Sequence, residues 1–418
     1  MTTSPGEPAT PNTPIVTAPA DEESAESSRS VLAPLRRRRV RKMVGAQFIA
    51  ETGDGITLVA LPLYVYERTG SEVLTSITFA AEMGIGAIGA IGGGVLADTF
   101  NRQRVLLTSY LVRAALLAAA FTIDPLLAAV ALGVLARAGG QADNPSFDAL
   151  VPTQAQGDLQ QLLALRRLIQ GVSISVGPAV GAFIVAAVGP RTGLAVNAAA
   201  FVAAWLILRT APGLDTNHEA RRQQRAGKAA GEALAEIARG ARTILAAPGL
   251  TRLVIYLAAT MATIGVAHTA AIVWFERDLN AGGHWFGLSV AGYGLGTVIG
   301  LYLAGRHQFT WPLPRILLVS APIYATACAI GVATDTTWLL PAAWLIWGIA
   351  LGPEMVTGEV FIVNTVPEAG RGRAYATIGV AITIGFAIGY ALAGPLLETF
   401  TARTVLLGLS AAILAIGT

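Results

Sequence analysis

Among the ionisable side chains inside long apolar runs of the sequence, five could do chemistry: Glu51, Asp54, Glu82, Arg113 and Arg137. A charged side chain at the centre of an apolar membrane segment costs about 3 kcal/mol on insertion scales, so such residues have a function or a fixed partner. At 1.5 Å per residue, Asp54 and Arg137 lie roughly 16 Å into their runs, and Glu82 and Arg113 roughly 12 Å. A carboxyl group there can exchange a proton when its contact with water changes. These residues indicate a proton or substrate pathway; the alternative is a set of fixed ion pairs, such as Arg113 with Glu82.

One face of the first apolar run is polar. Gln47, Glu51 and Asp54 are spaced by four and three residues, which places them on the same side of an α-helix. A polar stripe on a membrane helix must face the interior of a helix bundle or a water-filled cavity. We therefore expect this face to line the pathway.

The elements that position these residues must be membrane helices. The chain has 418 residues, of which 54% are hydrophobic and only 13% are charged. A soluble domain carries about a quarter charged residues, so this composition excludes an ordinary soluble protein. Twelve apolar runs follow Met43, and most reach the length of about 20 residues that crosses a bilayer, the last run, 402–418, being the shortest. The sequence predicts an all-α membrane protein with twelve transmembrane helices.

The runs fall into two related groups of six. Three short motifs recur in the same order at a spacing of roughly 210 residues, which indicates two pseudo-symmetric six-helix bundles. The polar, basic segment between the groups has apolar residues at helical spacing, so it predicts an amphipathic helix at the membrane surface. We predict a disordered basic cytoplasmic tail at 1–42, the N-terminal bundle at 43–209, a cytoplasmic linker at 210–249 and the C-terminal bundle at 250–418.

The basic residues predict the orientation of the chain. With the N-terminus inside, the predicted outer loops hold only four of the 29 lysines and arginines: Arg68, Arg191, Arg277 and Arg403. This asymmetry is what the positive-inside rule requires. We expect a multi-pass protein of the cell (inner) membrane with both termini in the cytoplasm. In this orientation Glu354 and Glu359 lie toward the cytoplasm, where they either line an inner gate or are solvated.

A charged hairpin joins the second and third runs. Its residues follow the order Gly94-x-x-Ala97-Asp98-x-x-x-Arg102-x-Arg104. Asp98 can face the positive N-terminus of a neighbouring helix, and an arginine can pair with an acid on another, so the hairpin can lock one side of a bundle. We expect an inner gate in which Arg102 reaches Asp143 and Asp148; the alternative is an ordinary basic loop. The order of residues resembles the loop 2–3 signature of the major facilitator superfamily.

Two further motifs extend the resemblance. Thr52-Gly53-Asp54, followed by Ala60-Leu61-Pro62-Leu63, is similar to the superfamily branch that contains enterobactin and macrolide exporters. Arg137 lies in the fourth run, where proton-coupled drug exporters of the family have an arginine. Gly177-Pro178-Ala179-Val180-Gly181 resembles the core of the antiporter motif in the fifth helix. Proline frees a carbonyl and glycines permit close approach, so Gly177, Pro178 and Gly181 predict a kinked, closely packed helix with either a coupling role or a purely structural one.

The resemblance implies a secondary active transporter that exports an amphipathic small molecule, a drug-like compound or a siderophore, in exchange for protons by alternating access. The alternatives are uptake or uniport of a metabolite, and a non-transporting membrane sensor on the same fold. The sequence has no P-loop pattern, and its single cysteine, Cys328, excludes a disulfide framework or a thiolate cluster. No nucleophile–base constellation occurs. We expect a monomer in the lipid bilayer that binds its substrate and protons, with no enzyme activity, ATP, nucleic acid, cofactor or metal.

Overall fold

The computed structural model describes residues 31–211, 213–214, 239–242, 244–307 and 311–417. Within these ranges the chain is helical and contains no strand. The long helices of the first half are α1 (Arg38–Thr69), α2 (Glu72–Thr99), α3 (Arg102–Thr122), α4 (Leu126–Leu150), α5 (Leu159–Val188) and α6 (Pro190–Arg209). Those of the second half are α7 (Pro248–Val273), α8 (His284–His307), α9 (Leu313–Gly331), α10 (Leu339–Thr365), α11 (Glu368–Thr399) and α12 (Ala402–Gly417). We call the end of the molecule at which α1 begins the near end, and the end at which α1 terminates the far end.

The helices agree with the expected membrane protein. Ten helices in the described ranges are long and apolar enough to cross a membrane. The last helix, α12, has 16 residues and is shorter than these, as the length of its apolar run indicated. The prediction of an all-α, multi-pass membrane protein is confirmed, whereas twelve spans in two bundles stays a prediction.

The first helix begins inside the basic cluster, at Arg38, and not at the apolar run that follows it. Arginine and lysine are good helix formers, and their charged ends find polar partners beyond the apolar segment. Arg37, just before the helix, donates to the carboxylate of Asp158 at 2.6 Å, and Lys42, in its first turns, donates to the carbonyl of Thr210 at 2.7 Å. Most of the predicted tail, and much of the predicted linker helix, lie outside the described residues.

The helices of the two halves pack in the same pattern. In the first half, α1 packs on α5 and α6, and α4 packs on α2 and α3. In the second half, α7 packs on α11 and α12, and α10 packs on α8 and α9, so these contacts recur after a shift of six helices. Between the halves, α2 packs on α11 and α5 packs on α8. By this shift, α3 and α4 correspond to α9 and α10.

Helices α1 and α5 approach each other through two glycines. A Cβ atom added at Gly177 would lie 2.7 Å from the carbonyl oxygen of Thr52 and 2.8 Å from the Cα of Gly55. The backbones are therefore closer than any side chain would permit, as membrane helices with small interface residues can be. Pro178 lies inside α5, and the helix continues past it to Val188. The close packing expected from the glycines of the fifth helix is present.

Candidate functional site

The guanidinium of Arg113 is the centre of a buried polar network in the first half. It projects from α3, where Nη1 donates to Asp143 at 2.9 Å and Nε donates to the carbonyl of Ala136 at 2.7 Å. Its Nη2 donates to a carboxylate oxygen of Asp54. The guanidinium carbon lies 4.0 Å from the ring centre of Phe201. Because these contacts use the fork geometry of arginine, α1, α3 and α4 are joined by one side chain.

Arg137 and Glu82 extend this network. Arg137, on α4, donates from Nη1 to the backbone carbonyl of Asp54 at 3.1 Å and lies 3.9 Å from its carboxylate. Its Nε lies 3.8 Å from a carboxylate oxygen of Glu82, whose side chain is fully buried. The pairing of Arg113 with Glu82 that the sequence suggested is wrong: Arg113 binds Asp54 and Asp143, and Glu82 lies beside Arg137. The Asp54 carboxyl therefore lies between two arginines.

A second network lies toward the near end and is centred on Arg166 of α5. Arg166 donates from Nη1 to Glu51 and from Nε to Asp148, each at 2.8 Å. Glu51 also accepts from Gln47 at 3.0 Å, and Gln47 in turn accepts from the hydroxyl of Tyr110 at 2.8 Å. Each residue of the polar stripe expected on α1 therefore has a polar partner inside the first half. Sequence reasoning missed Arg166, although an arginine pair at 166–167 inside an apolar run was the signal that could have found it.

The two networks meet at a small cavity of about 50 Å³. A volume of this size accommodates one or two water molecules, whereas drug-sized ligands require several hundred Å³. In this conformation the cavity is suited to a proton or water and too small for a drug-sized substrate. It is lined by Gln47, Ala50, Glu51, Asp54, Tyr110, Arg113, Arg137, Gly140, Asp143 and Asn144.

The charged hairpin has the expected tight geometry, because α2 ends at Thr99 and α3 begins at Arg102. Asn101 caps α3 by accepting from the backbone N–H of Arg104 at 3.0 Å. Arg102 donates to the carbonyl of Ala149 at 2.8 Å, and the side chain of Arg104 is exposed. Gly94 and Asp98, which belong to the predicted gate, lie in α2, but the structure describes neither the contacts of Gly94 nor the side chain of Asp98. Asp143 and Asp148, expected near Arg102, instead bind Arg113 and Arg166.

Side chains of both halves meet at the far end. Arg277 donates to Glu72 at 2.6 Å, which joins the start of α2 to the π-helical turn after α7. The ring of Phe79 on α2 stacks on Tyr390 of α11 with centroids 4.7 Å apart. His268 of α7 is buried and lies 2.7 Å from the Tyr390 hydroxyl, so it has the polar partner expected of a structural histidine. The two halves are in contact at this end.

Glu354 and Glu359 have different environments, although they lie on the same helix. Glu359 is exposed and accepts from the hydroxyl of Tyr375 at 2.6 Å. Glu354 is buried, with only 4% of its surface exposed. The interpretation as a solvated side chain therefore fits Glu359 and fails for Glu354.

Among the described residues, no group of three or more histidine, cysteine, aspartate or glutamate side chains could hold a metal ion. Cys328 is free and buried, and its thiol donates to the carbonyl of Leu406 at 3.3 Å. It packs in a hydrophobic core formed mostly by residues of the second half.

Comparison with known proteins gives a consistent result over most of the chain. The family model described as Major Facilitator Superfamily matches residues 43–275 and 253–418. The "Multidrug efflux pump Tap" of Mycobacterium tuberculosis (strain ATCC 25618 / H37Rv) is 26% identical over 399 residues, covering 89% of this chain and 90% of that protein. The "Uncharacterized MFS-type transporter YfiS" of Bacillus subtilis (strain 168) is 23% identical over 371 residues, covering 85% and 86%.

Solved structures share the fold at low sequence identity. The nucleoside transporter NupG superposes with a TM-score of 0.72 and 14% identity, over 91% of this chain and 97% of that chain. A POT family transporter in complex with 5-aminolevulinic acid superposes with a TM-score of 0.66 and 11% identity, over 90% and 94%. At these identities the likeness concerns the fold alone.

Proposed function

Because this chain belongs to the major facilitator superfamily, we propose that it is a secondary active transporter that exports an amphipathic small molecule, drug-like or siderophore, in exchange for protons. The family resemblance inferred from the charged hairpin is confirmed, and the transporter class follows from it. The direction of export and the substrate class are supported by the similarity to the efflux pump Tap. We propose alternating access by a monomer in the inner membrane, with both termini cytoplasmic.

The contacts of Asp54 carry the proposal of proton coupling. The acids of its network differ in access to solvent: the side chain of Asp54 is 21% exposed, that of Asp143 only 3%, and that of Glu82 is fully buried. Asp54 also faces the small cavity, which is large enough for water. It is therefore the acid of this network that a proton can reach most easily.

Protonation of Asp54 changes the network. The ionised carboxylate is held by Arg113 and lies close to Arg137. A proton on Asp54 removes its negative charge, so the attraction to both arginines is lost and they are left with Asp143 and Glu82. Since these residues lie on α1, α2, α3 and α4, the change alters which helices of the first half are held together. We propose that this change biases the transporter between its two access states, and that the Asp98–Arg102 hairpin is the latch on the cytoplasmic side.

The experiment that tests the proposal is transport by Asp54→Asn in proteoliposomes. The amide imitates the protonated side chain, so we expect the variant to bind substrate and to exchange it across the membrane, but to lose accumulation driven by a proton gradient. The matched control is Asp124→Asn, because Asp124 is 91% exposed and pairs with Arg191 at 3.4 Å, outside the network. Full gradient-driven accumulation by the Asp54 variant would contradict the proposed role. Substrate uptake without a proton gradient would favour uniport.

A further inference from the structure

The carboxyl group of Glu354 is held by hydroxyl groups from two other helices. Its Oε2 accepts from Tyr324 at 2.8 Å, from Ser320 at 2.9 Å and from Tyr256 at 3.2 Å. Its Oε1 is buried and has no hydrogen-bond partner among the residues that the structure describes. One oxygen is therefore fully engaged, whereas the other is withdrawn from both water and donors.

The groups that face Glu354 are neutral. They are the phenols of Tyr256 on α7, Tyr293 on α8 and Tyr324 on α9. Within the described ranges, no basic side chain forms an ion pair with Glu354. The described basic side chains on the neighbouring helices are exposed or bind elsewhere: Arg252, Arg306 and Arg315 are exposed, His268 contacts Tyr390, and Arg371 donates to the carbonyls of Val363 and Val366. Among the side chains that the structure describes, none would balance a negative charge at Glu354.

The first half has a corresponding site in which an arginine binds the buried acid, whereas the Glu354 site has no such arginine among the described residues. Asp143 on α4 is bound by Arg113 of α3, and the two are separated by 30 residues in the sequence. Glu354 on α10 is bound by Tyr324 of α9, again at a separation of 30 residues. Because α3 and α4 correspond to α9 and α10, Tyr324 occupies the place of the arginine. The second half thus keeps the buried acid and replaces its permanent positive charge by a hydroxyl.

We propose that Glu354 is an exchangeable proton-binding site of the second half and carries a proton in this conformation. A buried carboxyl without a cation is far less costly as the neutral acid. Hydroxyl groups can both donate and accept, so the same three side chains can serve either form. All three donate to the carboxylate; when Oε2 is protonated, one of them turns and accepts its hydrogen. An arginine could not do this, because it only donates.

Tyr256 provides the route for the proton. It contacts Glu354 and also lines a crevice of about 710 Å³ between α7, α9 and α12. On release, the proton on Oε2 passes to the Tyr256 oxygen while the phenol gives its own proton to a water molecule in the crevice. The carboxyl is left ionised, the phenol is unchanged and one hydronium is formed. Uptake is the reverse of this transfer.

The test is infrared spectroscopy of the purified protein in lipid nanodiscs. A protonated carboxyl has a C=O stretching band that a carboxylate lacks. We expect a band in the wild type at neutral pH that shifts in D₂O, because the proton exchanges, and that disappears reversibly as the pH rises. Glu354→Gln should remove this band. The matched control Glu359→Gln should keep it, because that carboxyl is exposed on the same helix.

A second variant keeps the proposal testable if Glu354→Gln does not fold. Tyr324→Phe keeps the ring and removes the closest hydroxyl, so the band should persist at a shifted frequency because the carboxyl group loses a hydrogen bond at Oε2. A band unaffected by both variants would overturn the proposal, since it would then belong to another acid. A Glu354 band insensitive to pH and to D₂O would overturn it too, because the acid would be permanently protonated. Asp54→Asn should keep the band, so this result does not depend on the proposed role of Asp54 or on transport.

Discussion

Replacing Arg113 by methionine should destabilise the protein strongly, because it leaves Asp143 without its partner and Asp54 with only Arg137 nearby. Only 3% of the Arg113 and Asp143 side chains is exposed, so this pair is buried, whereas Asp54 is partly solvated and should contribute less. Removing one partner of a buried ion pair costs about 3–5 kcal/mol, and we expect a loss in this range for Arg113→Met. Methionine is unbranched and adaptable, so it fills the space against Phe201 without a large cavity. The measurement is the free energy of unfolding by SDS in mixed micelles.

Two further variants serve as controls for the prediction on Arg113→Met. Arg191→Met removes a partner of Asp124, which is 91% exposed, so it should change the free energy of unfolding by at most about 1 kcal/mol. The double variant Arg113→Met/Asp143→Asn removes the unpaired buried charge, and it should recover much of the stability lost in the single variant. If Arg113→Met were no more destabilising than Arg191→Met, the network would not hold α1, α3 and α4 together, and the reasoning would be refuted.

Two further predictions concern contacts between helices. Gly177→Val should lower the free energy of unfolding by about 1–3 kcal/mol in the same assay, because its Cβ would lie 2.7 Å from the Thr52 carbonyl oxygen. Gly45 has open space around it, so Gly45→Ala should change the free energy of unfolding by less than about 0.5 kcal/mol. Equal effects would mean that α1 and α5 can separate freely. Glu72→Ala removes the partner of Arg277 at the far end. It should shift the population toward conformations open at that end by up to about fivefold, seen as longer distances between spin labels on the loops after α1 and before α8; an unchanged distance distribution would show that the pair does not hold this end closed.

The sequence predicted the members of the first-half network but not their partners. Asp54, Glu82, Arg113 and Arg137 were recognisable because charged residues are rare in apolar runs. Which acid binds which arginine depends on how each helix is rotated and how closely it packs, and neither quantity is encoded in local spacing. The suggested pairing of Arg113 with Glu82 was wrong for this reason. Close packing through Gly177 was predictable, because small residues in a membrane helix have few other uses.

The site around Glu354 in the second half could not be predicted from the sequence, for a different reason. Its donors Tyr256, Ser320 and Tyr324 are unremarkable residues in apolar helices, and only folding brings their hydroxyls to Glu354. Position along the span suggested two alternatives for this glutamate, of which solvation is wrong. The gate residues Gly94 and Asp98 stay predictions, because the structure describes neither the contacts of Gly94 nor the side chain of Asp98.

Because the backbones of Gly55 and Gly177 are in contact, we expect α1 and α5 to move as one rigid body. At this point the two main chains lie too close for a side chain to fit between them. The close packing continues into the other half, because a Cβ atom at Gly294 of α8 would overlap Ser175 of α5. Asp54 is the residue immediately before Gly55, so a displacement of α1 that starts at this carboxyl is transmitted as force through α5 to α8. The proton site proposed for the first half and the motion of the second would then share a mechanical link that requires no movable side chain.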